Sequence, residues 1–534
     1  MYNPQSDRQD MRRKISLLIT ALIIGALQAH AQLTPQYTFN ALQFSSQYYD
    51  GTARSLAMGN AMTALGGDMG ALSYNPAASG VYRYSEFTLT PSLYSGVTST
   101  SFLGSSFKDS RTRFALSNVG WTGSFDTGRT RGLLNINLAV TANQTNNFAF
   151  RSSGSGVQNG SSYLGSLAAS IPQGVTGYDL DMYNDYDDYP FYNSGASWTH
   201  VLAWNAGLLD TLSTDPTFFL GATENIGQDG QGNPVISIPG TLNQSFRREK
   251  TGYVQDVVIN ASGNIDNIFF FGISLTLQSI WASEYTSISE TAANSALFQT
   301  GFSGFTREYT LTTSGMGVDV SAGFIVRPVA GLTIGGSIST PNWMFLNESW
   351  QESVSAETGT FGTARINSPT GSYSYRLTAP FKWNLGIGYT LGSLMAIGVD
   401  YERTDYSDIR LASSGGDQSA FAADNEYMAA YYQAVNNVRA GLEVWPHKQL
   451  AVRLGYNWYS SSEREFDNSR HYASAGIGFR TAGGFFIDAA YQQLCNTVDN
   501  LYSLYDSYAE GSPAPLVKEK GRNWKVLLTL GWRF

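Results

Sequence analysis

Apolar and polar residues alternate with a period of two along most of the chain. In 134–141, Leu134, Ile136, Leu138 and Val140 share one face, and Asn135, Asn137, Ala139 and Thr141 share the other. Phe271, Ile273, Leu275 and Leu277 oppose Gly272, Ser274, Thr276 and Gln278 in the same way, and Val318, Val320, Ala322 and Phe324 oppose Gly317, Asp319, Ser321 and Gly323. Successive side chains of a strand point to opposite faces, so each stretch predicts a strand with one apolar face. The same reading predicts strands at 87–94, 113–122, 196–206, 252–262, 331–340, 381–391, 395–403, 437–446, 449–458, 471–480 and 483–492. At the end of the chain, Val526, Leu528, Leu530, Trp532 and Phe534 alternate with Lys525, Leu527, Thr529, Gly531 and Arg533. These are fifteen candidate stretches, and because a transmembrane barrel of this type has an even number of strands the expected count is about fourteen.

The connections are unequal. Pro446-His447-Lys448 and Thr481-Ala482-Gly483 are short, whereas 151–194, 207–250, 279–312, 403–434 and 493–522 are long. Short turns on one side and long loops on the other are the usual barrel asymmetry. Beyond residue 32 no apolar run approaches the roughly 18 residues a membrane helix needs, so a chain resident in a membrane must cross it as strands.

Composition strengthens this picture. A soluble chain of 534 residues would suggest several domains. Charged residues make up only 14% and aromatics 13%, with 55 Gly and 32 Tyr, which suits aromatic girdles at two membrane interfaces. Mean hydropathy is −0.18, because lumen-facing and lipid-facing residues cancel. The net charge of −9 argues against nucleic acid as a partner. Cys495 is the single cysteine, which excludes an intrachain disulfide and a CxxC site. The predicted fold class is all-β, a transmembrane antiparallel β-barrel.

The N-terminus reads as an export signal. Arg12, Arg13 and Lys14 precede the apolar run Ile15 to Leu27, and Ala29-His30-Ala31 is a small-x-small cleavage site. Residues 1–31 are therefore the expected signal peptide, with Met11 a candidate start and 1–10 an upstream extension. Residues 32–85 do not read as wall. Ala53 to Ala64 is rich in small residues and Met at helical spacing, and Gly66-Gly67 and Asn75-Pro76-Ala77 follow. Pro76 fixes its own φ and pushes Asn75 out of the helical region. We expect a helical plug inside the lumen over 32–85, and the barrel over 86–534.

The segment GTARSLAMGNAMTALGGDMGALSYNPAASG resembles the N-terminal hatch of the FadL/TodX family of outer-membrane transporters of hydrophobic compounds, in which Asn-Pro-Ala is the best-known hatch motif. Stretches 322–345, 397–408, 438–458 and 472–491 are similar to that family's wall. The resemblance implies a fourteen-stranded barrel around the hatch, located in the bacterial outer membrane after Sec-dependent export. It implies a monomer that passes a small hydrophobic ligand through a wall gap at a strand kink, without a cofactor. Asn75, Pro76, Ala77, Gly66 and Gly67 would be the gating residues. A final strand ending in Trp532 and Phe534 resembles the signal read by the barrel assembly machinery. Outer-membrane lipid and lipopolysaccharide would be the surrounding partners. Some barrels resembling this family, such as PorV-type adaptors of type IX secretion, receive secreted proteins instead.

Three further constellations bear on function. Alternation places Asp400, Glu402, Arg439, Glu443, Arg453, Arg480, Lys525 and Arg533 on the non-lipid face, since Arg or Lys facing lipid at mid-depth costs about 2–4 kcal/mol. They read as an ion-pair network beneath the plug, or, for Arg439, Arg453 and Arg480, as a site for a ligand carboxylate. Asp179, Asp181, Asp185, Asp187 and Asp188 would suit a hard cation, but their spacing fails the EF-hand pattern and no metal is assigned. No GxSxG, HExxH or phosphate-binding glycine loop is present, so no catalytic residue is expected. The outer segments also carry Trp198, Trp204, Phe218, Phe219 and Leu220 beside an acidic, Tyr-rich run.

Overall fold

The structure is a computed structural model that describes residues 36–182, 191–228, 234–508 and 513–534. The expected export signal (1–31), residues 32–35 and Asp185, Asp187 and Asp188 lie outside the described residues.

Fourteen strands form the wall. They are β1 (Glu86–Phe102), β2 (Ser105–Asp126), β3 (Leu133–Asn147, continuing as Phe150–Gln158), β4 (Leu242–Ile265), β5 (Phe269–Ala292), β6 (Gly304–Val329) and β7 (Leu332–Ser339, continuing as Asn342–Thr358). The circuit continues with β8 (Gly371–Ala379, continuing as Lys382–Leu391), β9 (Met395–Asp405), β10 (Ala434–His447), β11 (Leu450–Tyr459), β12 (Arg470–Arg480), β13 (Phe485–Leu494) and β14 (Leu516–Arg533). Every neighbour pair is antiparallel, and β1 pairs with β14 from Glu86↔Arg533 to Phe102↔Val517, which closes the sheet. Closure removes the free edge and satisfies the backbone without water, the condition for crossing hydrocarbon. The alternation sorts as expected. Phe114, Ile273, Phe345, Leu454 and Ile477 are exposed on the outside, while Asn137, Asp400, Arg439 and Arg453 are buried on the inside.

Three sequence expectations need correction. Residues 196–206 are not a strand but contain a helix (Trp198–Asn205), because Ser197 caps it: the Ser197 N–H donates to His200 Nδ1 at 3.0 Å and its side chain accepts from the His200 N–H. The segment 279–312 is largely wall rather than loop, and the end of 207–250 belongs to β4. β4, β5 and β6 run well beyond the apolar belt, leaving only 293–303 to connect β5 to β6. Ala53 to Ala64 is helical only over Ala53–Ala57, since Gly59 and Asn60 take positive φ and turn the chain.

The N-terminal segment fills the lumen. Helix α1 (Gln36–Ser45) lies in the outer half and α2 (Ala53–Ala57) against the inner faces of β11 to β14; short 3-10 turns, Gly70–Ser73 and Pro76–Val81, follow. Inward-facing glycines let the plug backbone approach the wall. A Cβ on Gly441 would lie 2.2 Å from the Met58 carbonyl oxygen, and one on Gly335 2.3 Å from that of Thr63. The outer segments build their own layer over the barrel, with a buried core that includes Leu164, Leu180, Val201, Leu202, Phe298 and Phe302.

Candidate functional site: the plug, the kink of β3 and the wall gap

The sequence-predicted charges divide into two buried assemblies that hold the plug. Glu443 accepts from Arg54 Nε of the plug at 3.0 Å and from Arg453 Nε at 2.7 Å, and Arg453 also reaches Asp488 at 2.5 Å. Arg439 donates to Glu402 at 3.1 Å and to Asn384 at 2.9 Å; the Tyr49 hydroxyl of the plug donates to the same Glu402 at 2.9 Å. Asp400 accepts the Thr63 N–H at 2.8 Å. Arg439 and Arg453 side chains are 0% exposed and face protein carboxylates. Arg480 stands apart, its guanidinium 4.3 Å over the Trp445 ring. Lys525 pairs with Asp50 of the plug, and Arg533 with Glu86 at 2.6 Å.

Asn75, Pro76 and Ala77 sit where the plug meets β4, β6 and β7. Asn75 Nδ2 donates to the Thr63 carbonyl at 2.6 Å and to the Phe324 carbonyl of β6 at 3.3 Å, while its Oδ1 accepts the Ala77 N–H at 3.0 Å and caps the following turn. The Pro76 carbonyl accepts from Asn260 of β4 at 2.9 Å. Gly66 and Gly67 take φ of +62° and +64°, and the Gly67 N–H returns to the Ala78 carbonyl at 2.9 Å. Glycine suits both positions because left-handed backbone costs it nothing.

Among the described residues the wall is interrupted at one place. β2 pairs with β1 along its whole outer length, but with β3 only from Asn118↔Asn143 to Asp126↔Asn135. Above Asn143 the register of β3 shifts at Gln144/Asn146, and its continuation Phe150–Gln158 stays with β4. This outer part of β3 swings inward behind β2. The Ser152 hydroxyl meets that of Thr100 on β1 at 3.0 Å, and a Cβ on Gly96 of β1 would touch the Ala149 carbonyl oxygen at 2.3 Å. The edge of β2 over residues 105–117 is therefore left without a ladder on that side.

The plug takes the place of β2 at the kink. The Tyr48 N–H donates to the Thr145 carbonyl at 2.7 Å, and the Asp50 N–H to the Gln144 carbonyl at 2.9 Å. Asn146 Nδ2 donates to the carbonyls of Gln43 and Ser46 at 3.0 and 3.1 Å, anchoring the end of α1. Lys250 of β4 completes the joint. It pairs with Glu284, donates to Asn40 and Gln43 of α1, and stands 5.2 Å from the Phe148 ring centroid at the kink.

A cavity of about 240 Å³ opens between α1, the kink, β1 and β14. Phe39, Leu42, Tyr48, Tyr94, Phe148 and Phe150 line one part of it, and charged groups, among them Arg248, Lys250, Glu284, Arg470 and Glu519, line the rest. Its volume exceeds the roughly 150 Å³ that holds a benzene ring in an apolar cavity. None of these lining residues is among the sequence candidates. A signal that could point to them is the aromatic content of Tyr48-Tyr49, within the expected plug, and of Phe148-Ala149-Phe150, between the strand expected at 134–141 and the long segment from 151.

The chain has the fold of the FadL/TodX-type outer-membrane channels. It matches the toluene transporter TodX of Pseudomonas putida with a TM-score of 0.50 and 12% identity, covering 91% of this chain and 99% of that one. It matches the deltaS2 mutant of the TodX monoaromatic hydrocarbon channel with the same TM-score and identity, over 90% and 98% of the two chains. No protein-family model and no curated protein matches the sequence.

Proposed function

We propose that the protein is an outer-membrane channel for small hydrophobic molecules. The observation that carries this reading is the cavity lined by Phe39, Leu42, Tyr94, Phe148 and Phe150, which lies behind the outer part of β3 that left the edge of β2 unpaired, with the plug seated on the kink. A hydrophobic solute would enter from the outer layer, rest in the cavity, and leave sideways through the gap into the membrane. That route never requires apolar surface to cross a water-filled pore, which would cost about 25 cal/mol per Å² exposed. Residues 32–85 act as the hatch, with Asn75, Pro76, Ala77, Gly66 and Gly67 holding its lower half while Tyr48 and Asp50 hold the kink. The buried ion pairs are fastenings of the hatch, since Arg439 and Arg453 already face carboxylates. TodX is described as a toluene transporter, and monoaromatic compounds are accordingly the first class to test.

The test is protein-dependent uptake of labelled toluene and of a long-chain fatty acid by cells with and without the protein. Saturable, protein-dependent uptake of either supports the channel. The compact outer-loop layer is the observation that favours a second reading, a secreted-protein adaptor. Stable co-purification of a secreted protein with no uptake of either solute would replace the channel with it.

A further inference from the structure

The gap holds more positive charge than the wall around it needs. Glu249 on β4 is shared by three guanidiniums: Arg111 of β2, Arg151 of the outer part of β3 at 3.0 Å, and Arg247 of β4. Arg113 of β2 stands beside them, with the Gly252 carbonyl and the Tyr253 ring, 5.1 Å away, as its partners. The other carboxylate nearby, Asp109, accepts from the Ser153 hydroxyl at 2.8 Å. Four arginines thus face two carboxylates in one seam. Their side chains stay accessible: Arg111 is 27% exposed, Arg151 35% and Arg247 53%.

Height in the membrane can be read from the neighbours. Phe114 and Leu116, next to Arg113 on β2, point outward and are 68% and 41% exposed, which marks the upper part of the apolar belt. Tyr253 and Trp281, paired across β4 and β5 with ring centroids 6.3 Å apart, lie at the level of Arg113. Tyr and Trp gather where headgroups begin. Arg111, Arg247 and Glu249 lie just beyond, in the headgroup layer. The unpaired backbone edge of β2 runs from 105 to 117 and passes through this level at Arg111 and Arg113. There the open edge donors and the surplus guanidiniums offer themselves together to a polar, anionic partner.

We propose that Arg111, Arg113, Arg151 and Arg247 form a binding site for the phosphate group of an outer-leaflet lipid, seated in the seam between β2 and β4. Guanidiniums offer forked donors that match phosphate oxygens, and partial removal from water strengthens the contact. A phosphate here spans the break that the ladder leaves, joining β2 to β4 through charge-assisted hydrogen bonds. The bound lipid becomes part of the wall beside the gap.

The experiment is native mass spectrometry of the detergent-purified protein titrated with dioleoyl phosphatidylglycerol, dioleoyl phosphatidylcholine or inorganic phosphate. The expected result is preferential retention of phosphatidylglycerol, weakened about tenfold or more in an Arg111→Gln, Arg113→Gln, Arg247→Gln variant, with no displacement by millimolar inorganic phosphate. Arg247→Gln alone, at the most exposed of the four positions, serves if the triple variant fails to assemble, and should weaken retention measurably. Equal retention of the two lipids, or undiminished retention in the variants, overturns the site. Displacement by inorganic phosphate overturns the lipid source in favour of a soluble anion.

Discussion

The backbone N–H of Tyr48 donates to the carbonyl of Thr145 at 2.7 Å, so that a residue of the plug occupies the hydrogen-bonding position β2 vacates on β3. Plug and wall gap are thereby one mechanical unit. The kink cannot rejoin β2 while the plug is seated, and the plug cannot leave without exposing the edge of β3.

Asn146 tests this unit. Its amide donates to the Gln43 and Ser46 carbonyls, and a typical hydrogen bond contributes about 1 kcal/mol net. Asn146→Ala should leave the barrel assembled but loosen α1. Hydrogen exchange of residues 40–50 should accelerate roughly tenfold to a hundredfold, on the order of 2 kcal/mol, relative to the wall strands.

The lower half of the plug should loosen separately. Asn75→Ala removes a turn cap and the links to Thr63 and Phe324, at a cost of about 1–3 kcal/mol. Faster exchange confined to 59–81, without change at 40–50, is the expected pattern. Uniform change across both regions would mean that the plug moves as one block.

Glu443 is the strongest clamp. It receives Arg54 from the plug and Arg453 from the wall, so Glu443→Gln leaves two guanidiniums short of a carboxylate, and breaking a buried pair typically costs about 3–5 kcal/mol. The heat-modifiability midpoint on gels should fall clearly. Replacing Arg54 by Met together with Glu443→Gln should recover part of the loss, because the plug then no longer buries an unpaired cation.

The outer layer should respond to acid through His200. Burial holds its imidazole down to about 4, from an ordinary value of 6.5. Nδ1 accepts the Ser197 N–H at 3.0 Å, which places the proton on Nε2, 3.0 Å from the Ser170 hydroxyl. The unfolded layer binds a proton more readily than the folded one between these two values, so the stabilisation is complete above about pH 6.5 and is lost as pH falls toward 4. Limited proteolysis of 191–208 should therefore speed up across that window, and His200→Gln should flatten the dependence.

Much of this was legible in the chain. The period-two alternation located each wall strand, because a membrane barrel must present lipid on one face and lumen on the other at every second residue. The inward charges at Asp400, Arg439, Glu443 and Arg453 followed from the same rule. The helix at Trp198–Asn205 was misread because its apolar residues satisfy both periods over so short a span, and a Ser197 cap decided the matter. The extent of β4 to β6 was missed because their outer halves, such as Ser283 to Ser289, are polar on both faces once above the membrane. The cavity and the gap were not legible. They arise where Gln144, Asn146 and Tyr48, distant in sequence, replace one ladder by another, and no local pattern encodes that exchange.

The most direct test closes the gap. Asp109 of β2 and Ser153 of the inward part of β3 meet across it at 2.8 Å. In a Cys495→Ser background, Asp109→Cys and Ser153→Cys can be joined by a short bis-maleimide crosslinker with a reducible disulfide spacer and uptake of labelled toluene measured in proteoliposomes. Uptake should fall severalfold on crosslinking and return on reduction. Unchanged uptake through the crosslinked barrel would contradict a lateral exit between β2 and β4.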